Sequence, residues 1–131
     1  MLADGGSTFW ETWQVESIWT KCHGWSGTPT FDLSTEILGV QPAATGFQRF
    51  RVAPHLVDLD WARGAFPTPH GEIQVAWQRT GEGAELTVEV PPETEAEITP
   101  PLAGRSVLMD GVATLVIPCL VGPGLHRMTV K

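Results

Sequence analysis

From about residue 46 onward, hydrophobic and polar positions alternate with period two. Ile73, Val75 and Trp77 fall on one side of a pleat, while Gln74, Ala76 and Gln78 fall on the other. The segment after Gly83 repeats the pattern, with Ala84, Leu86, Val88 and Val90 set against Glu85, Thr87 and Glu89. Phe50/Val52 against Arg49/Arg51, and Ala96/Ile98 against Glu95/Glu97, do the same. Such alternation predicts strands with one face on a core and the other in water. Asp110-Gly111, between Val107–Met109 and Val112–Ile117, is a hairpin-turn signal. Gly122-Pro123-Gly124 breaks the chain before a last strand, Leu125 to Val130. Seven or eight short strands at this spacing predict an antiparallel sandwich.

The first part of the chain has a different period. Ile18, Cys22, Trp25, Pro29, Leu33 and Ile37 recur every three or four residues, which predicts an amphipathic helix with Ser17 as a cap and Cys22 and its neighbours on the core side. Gly27-Thr28-Pro29 must interrupt it, because proline lacks the backbone donor and clashes with the preceding turn. Either the helix kinks there, or a second one starts with Thr28 as N-cap and Pro29 at its first position. Gly39 then supplies a left-handed stop. Ser7 to Trp13 shows no helical period and reads as a loop or extended segment. The expected fold is mainly β: an antiparallel β-sandwich preceded by one interrupted helix that has no helical partner in the chain.

Composition sharpens this division. The 131 residues include six Trp and five Phe, and four of those Trp fall before residue 46. Eight basic against fifteen acidic residues, a net charge of −7, leave no electrostatic footprint for nucleic acid or an anionic membrane. No apolar run approaches the ~20 residues that span a bilayer, and the first residues lack the basic start and apolar stretch of a secretory signal. Cys22 and Cys119 match no zinc or redox spacing. A reduced, cytoplasmic protein with no cofactor is the expectation.

Candidate chemistry concentrates in Phe9-Trp10-Glu11-Thr12-Trp13. A carboxylate between two indoles suits a sugar, whose apolar ring faces rest on aromatic surfaces while the carboxylate bonds hydroxyls or activates water. The alternative is that both Trp are core and Glu11 is a solvated loop residue. His23, beside Trp25, is either a ligand-contacting donor or a core-edge histidine bonded to a carbonyl. His55, His70 and His126 are scattered and form no metal set. Gly24-Trp25-Ser26-Gly27-Thr28 misses the nucleophile-elbow pattern at its last position, and no strand precedes it. The six glutamates from Glu82 to Glu97 read as a solvated face.

Several of these stretches, taken in order, resemble the C-terminal end of the bacterial α-L-rhamnosidases. They are Thr8 to Trp13, Cys22 to Pro29, Glu36 to Val40, Gly46 to His55 and Pro67 to Gly71. The resemblance runs over nearly the whole chain and is strongest from about Ser7 to Ile73. It implies that residues 1–40 are the last loop and helix of an (α/α)6 barrel and that 46–131 are the terminal β-sandwich. It further implies an inverting glycoside hydrolase that acts on terminal α-L-rhamnosides. Glu11 inherits the role of general base, His23 contacts the sugar, and Trp10 and Trp13 line the pocket.

The family's general acid lies in earlier parts of the barrel, and Glu16 cannot easily replace it. The resemblance therefore implies a truncated product or gene fragment with little or no activity by itself. The exposed Trp10, Trp13, Trp19 and Trp25 would then drive self-association. The competing expectation is a free-standing carbohydrate-binding sandwich using Trp61, Trp77 or His70, with Trp77 also fitting the buried set. A third is a purely structural domain that braces a barrel.

Overall fold

The computed structural model describes residues 5–12, 20–103 and 106–131. The chain divides into two units, Met1–Leu33 and Ser34–Lys131.

In the first unit the helical stretch is shorter than the spacing predicts. A 3-10 turn, Gly24–Gly27, leads into helix α1, Thr28–Asp32, and a π turn, Leu33–Ile37, follows. Pro29 occupies the first turn, where its missing N–H breaks no helical bond. The N-cap is Gly27 and not Thr28; the Thr28 hydroxyl instead donates to the Trp25 carbonyl at 2.9 Å. Residues 20–23 are not helical, contrary to the periodicity. The Thr20 hydroxyl both accepts from the Cys22 N–H and donates to the Cys22 carbonyl, each at 3.2 Å. That local side-chain bonding competes with a helix for the same backbone groups. Cys22 is accordingly exposed and does not face a core. The Ser17 cap, with Ile18, lies outside the described residues.

The second unit is mainly β. Gly39, at φ +76°, ends the helical stretch as predicted; a Cβ there would lie 2.3 Å from the Ala53 carbonyl carbon. Ten strands follow among the described residues. They are β1 Val40–Pro42, β2 Arg49–Val52, β3 Trp61–Thr68, β4 Gly71–Thr80 and β5 Gly83–Val90. After these come β6 Glu95–Ile98, β7 Val107–Met109, β8 Val112–Thr114, β9 Cys119–Val121 and β10 Gly124–Val130. One sheet has the order β1-β2-β6-β9 and the other β3-β4-β5-β10-β7-β8. β1 enters the sheet before the composition changes near residue 45, pairing Val40 with Val52.

Among the described residues the sandwich is antiparallel except at one place: β2 and β6 run parallel, Phe50 opposite Ala96 and Val52 opposite Ile98. Alternation along a strand records which face is buried, not the direction of its neighbour. Asp110 and Gly111, at φ 51° and 81°, form the tight β7–β8 turn, with Met109 opposite Val112.

The inward sets read from the alternation meet between the two sheets. Phe50, Val52, Ile73, Val75, Trp77, Leu86, Val88, Ala96 and Ile98 are all buried, with Met128 and Val130 from the last strand. The Trp77 indole N–H donates to the Ile37 carbonyl at 2.8 Å, which satisfies the one polar atom of that side chain.

Candidate functional site

Residues 8–11 lie alongside residues 20–23 through four hydrogen bonds. The Glu11 N–H donates to the Thr20 carbonyl at 3.1 Å, and the Thr20 N–H donates to Glu11 Oε2 at 3.3 Å. The His23 N–H donates to the Phe9 carbonyl at 2.7 Å, and the Thr8 hydroxyl donates to the Lys21 carbonyl. Phe9 and Glu11 of the first motif pair with His23 and Thr20, so the ladder fixes the two segments against each other. His23 itself is extended (φ −109°, ψ 109°) and precedes the 3-10 turn, accepting the Ser26 N–H at 3.1 Å.

The side chains on this frame differ in exposure. Trp10 is buried, and the Lys21 Nζ sits 5.7 Å from its ring centroid, a cation–π distance. Trp10 is therefore not part of an exposed aromatic patch, contrary to the expectation above. Glu11 is exposed, with one carboxylate oxygen held by the Thr20 N–H. His23 is half-buried and meets the Trp25 ring edge-on, centroids 5.5 Å apart at 88°. Trp25 is 85% exposed. The structure thus brings Glu11, Trp10 and His23 onto one frame; Trp13, Trp19 and Glu16 lie outside the described residues. Chemically, the frame offers a water-accessible carboxylate with one oriented oxygen and an imidazole on the paired segment, three residues after Thr20.

The candidates on the sandwich separate clearly. Trp77 is buried and closed to ligands, whereas Trp61 is 61% exposed on the outer face of the six-stranded sheet. Cross-strand register sets Trp61 opposite Gln78 and Gln78 opposite Glu85, and the Gln78 amide donates to Glu85 Oε2 at 3.1 Å. The next row runs Arg63, Ala76, Thr87, Arg127. Open depressions of about 440 and 420 Å³ lie side by side over these rows. Arg63 and Arg127 are absent from the sequence candidates. Their signal was the outward phase of β3 and β10, which marks a position as exposed but not as functional. His70 lies at the β3–β4 turn, where its N–H donates to the Thr68 hydroxyl at 3.2 Å. Among the described residues no three His, Cys, Asp or Glu side chains gather as metal ligands, and no helix is long and apolar enough to cross a membrane.

Comparison with known proteins places this fold. Residues 39–112 match the family model of the bacterial alpha-L-rhamnosidase C-terminal domain. An alpha-L-rhamnosidase of Alteromonas sp. (strain LOR) is 34% identical over 110 residues, covering 76% of this chain and 12% of that protein. One from Streptomyces avermitilis is 28% identical over 142 positions, covering 96% of this chain and 14% of its own length. The solved structure of the Streptomyces avermitilis alpha-L-rhamnosidase with L-rhamnose superposes with a TM-score of 0.76 at 27% identity, over 99% of this chain and 14% of that one. The alpha-L-rhamnosidase from Dictyoglumus thermophilum shares the fold, with a TM-score of 0.80 over 100% of this chain and 17% of its own. The chain spans a small part of each of these relatives. It belongs to the bacterial alpha-L-rhamnosidase C-terminal domain family.

Proposed function

We propose that this chain forms the C-terminal part of an inverting glycoside hydrolase acting on terminal α-L-rhamnosides, with Glu11 as its general base. The observation that supports the reading is the hydrogen-bonded frame that pairs the Phe9-Trp10-Glu11 segment with the Thr20–His23 segment and leaves the Glu11 carboxylate exposed. In an inverting reaction the base takes a proton from water as that water attacks the anomeric carbon. An acid on the opposite side protonates the leaving oxygen, the two carboxyl groups standing about 6.5–9.5 Å apart. The Thr20 N–H fixes one oxygen of Glu11, so the carboxylate is aimed before water arrives. By the family resemblance His23 donates to a sugar hydroxyl and Trp10 and Trp13 line the pocket, Trp10 from behind its surface since it is buried here. The sandwich serves as a structural domain of the larger enzyme.

Inversion needs a second carboxyl group opposite the base, and the family resemblance puts that general acid in earlier parts of the barrel. The 131 residues alone are therefore proposed to turn over no substrate, and the substrate is met only in the presence of a barrel that supplies the acid.

Hydrolysis of a chromogenic α-L-rhamnoside tests both parts. The isolated chain is expected to give background rates; turnover abolished by Glu11→Gln would show that a complete acid–base pair assembles within it. In a full-length rhamnosidase carrying this segment, Glu11→Gln is expected to lower kcat by roughly 10²–10⁴-fold. Near-normal kcat in that variant overturns the assignment of the base.

A further inference from the structure

Arg63 and Arg127 face each other across the outer surface of the six-stranded sheet, separated by Ala76 and Thr87. Three strand spacings of about 4.8 Å put the two backbones roughly 14 Å apart. The small side chains between them leave the floor of the trough low, and both depressions share Arg63, Ala76 and Thr87. Among the described residues neither guanidinium forms an ion pair. Trp61 closes one end, with the Arg63 guanidinium 5.8 Å from its ring centroid; Glu89 lies at the other.

Two features of this surface indicate a ligand. In a chain of net charge −7, two arginines without an ion pair share these depressions with the carboxylates of Glu85 and Glu89 and bond to neither. The trough is thus locally neutral while keeping both donors and acceptors available. A neutral polyhydroxylated ligand satisfies such a surface; an anion would be repelled by the glutamates and a cation by the arginines. An exposed indole beside these polar groups supplies the apolar face that a pyranose ring needs.

We propose that this trough is a binding site for a neutral oligosaccharide. One ring lies on Trp61, and the hydroxyls of the next are held by Arg63, Arg127 and Glu89. The site is independent of Glu11 and lies wholly within the sandwich.

The test is calorimetric titration of the full chain with rutinose, a neutral rhamnosyl-glucose disaccharide, and with cellotriose. At least one is expected to bind saturably. Trp61→Ala and Arg127→Gln should each weaken it about tenfold or more, the loss associated with a buried contact to a charged or aromatic group. Glu11→Gln should leave the affinity unchanged. Both trough side chains are exposed, so thermal unfolding of the variants should match the parent chain; Arg127→Gln alone decides the matter if Trp61→Ala does not fold. Absence of saturable binding to both sugars overturns the proposal. So does binding that survives both trough substitutions, binding lost only on Glu11→Gln, or tighter binding of a digalacturonate than of either neutral sugar.

Discussion

The indole of Trp77, buried in the β4 row of the sandwich core, reaches the carbonyl of Ile37 at 2.8 Å. One side chain therefore fills core volume and also satisfies a backbone acceptor at the end of the helical stretch. Trp77→Phe keeps most of the volume and removes the donor. It is expected to cost about 1–3 kcal/mol, the desolvation penalty of an acceptor left without a partner. Trp77→Ala adds a cavity and should cost about 3–5 kcal/mol. Urea unfolding followed by circular dichroism distinguishes the two; equal losses for Phe and Ala would mean that the hydrogen bond contributes nothing.

Gly39 presents a sharper constraint. Its φ of +76° is left-handed, and a Cβ would meet Ala53 and Pro54 backbone atoms at 2.3–2.5 Å. Backbone atoms cannot turn aside as a side-chain tip can. Gly39→Ala therefore carries the left-handed penalty of roughly 1–2 kcal/mol together with displacement of the Ala53-Pro54 segment. The expected outcome is a loss of stability larger than that of Trp77→Phe, read from the same urea curves. A change of a few tenths of a kcal/mol would show that this crossing relaxes freely.

How much of this was visible beforehand depends on the range of the interaction. Trp77, Leu86 and Ile98 were legible as core because burial repeats every second residue within their own strands. Gly39 and Asp110-Gly111 were legible because a left-handed backbone demands particular residues. The parallel pairing of Phe50 with Ala96 was not, since nothing within either strand encodes its partner's direction. Cys22 is exposed where its period implies burial, because its spacing to Trp25 imitates a helix while the Thr20 hydroxyl bonds the local backbone. Glu11 and His23 became candidates through their motifs, but the ladder joining Phe9 to His23 and Glu11 to Thr20 is a tertiary fact. The Arg63–Arg127 trough was hidden for the same reason: its two arginines are assembled from strands far apart in the chain.

Asp110 links the β7–β8 turn to β10. Its Oδ1 accepts the Arg127 N–H at 2.7 Å and its Oδ2 meets His126 Nδ1 at 2.8 Å. Burial raises its carboxyl pKa, but the Arg127 N–H and the His126 hydrogen bond and charge outweigh that and hold it below the ordinary 3.8. A carboxyl depressed in the folded state contributes stability that is present above its unfolded value and is lost as pH falls through its folded value. Stability should therefore drop more steeply below about pH 4 in the parent chain than in Asp110→Asn. Thermal midpoints measured from pH 7 down to pH 2.5 test this; parallel profiles for the two proteins would remove Asp110 as the cause.

Trp25, Phe31 and Leu33 are 85%, 66% and 57% exposed along the helical stretch of the first unit. Large apolar side chains gathered in one short segment favour association when nothing else covers them. The chain in isolation is expected to self-associate, its mean mass by light scattering rising with concentration. Trp25→Ser combined with Phe31→Ser should return it to a monomer without altering the β signal in circular dichroism, because neither residue belongs to the sandwich core. A sharp monomer peak for the parent chain at high concentration contradicts this. Association unchanged by the double substitution would instead direct attention to another exposed apolar group, Val112, Leu115 and Val116 at the β8 edge, exposed at 70%, 101% and 72%. The two surfaces can be told apart because Leu115→Ser and Val116→Ser should then restore the monomer while Trp25→Ser does not.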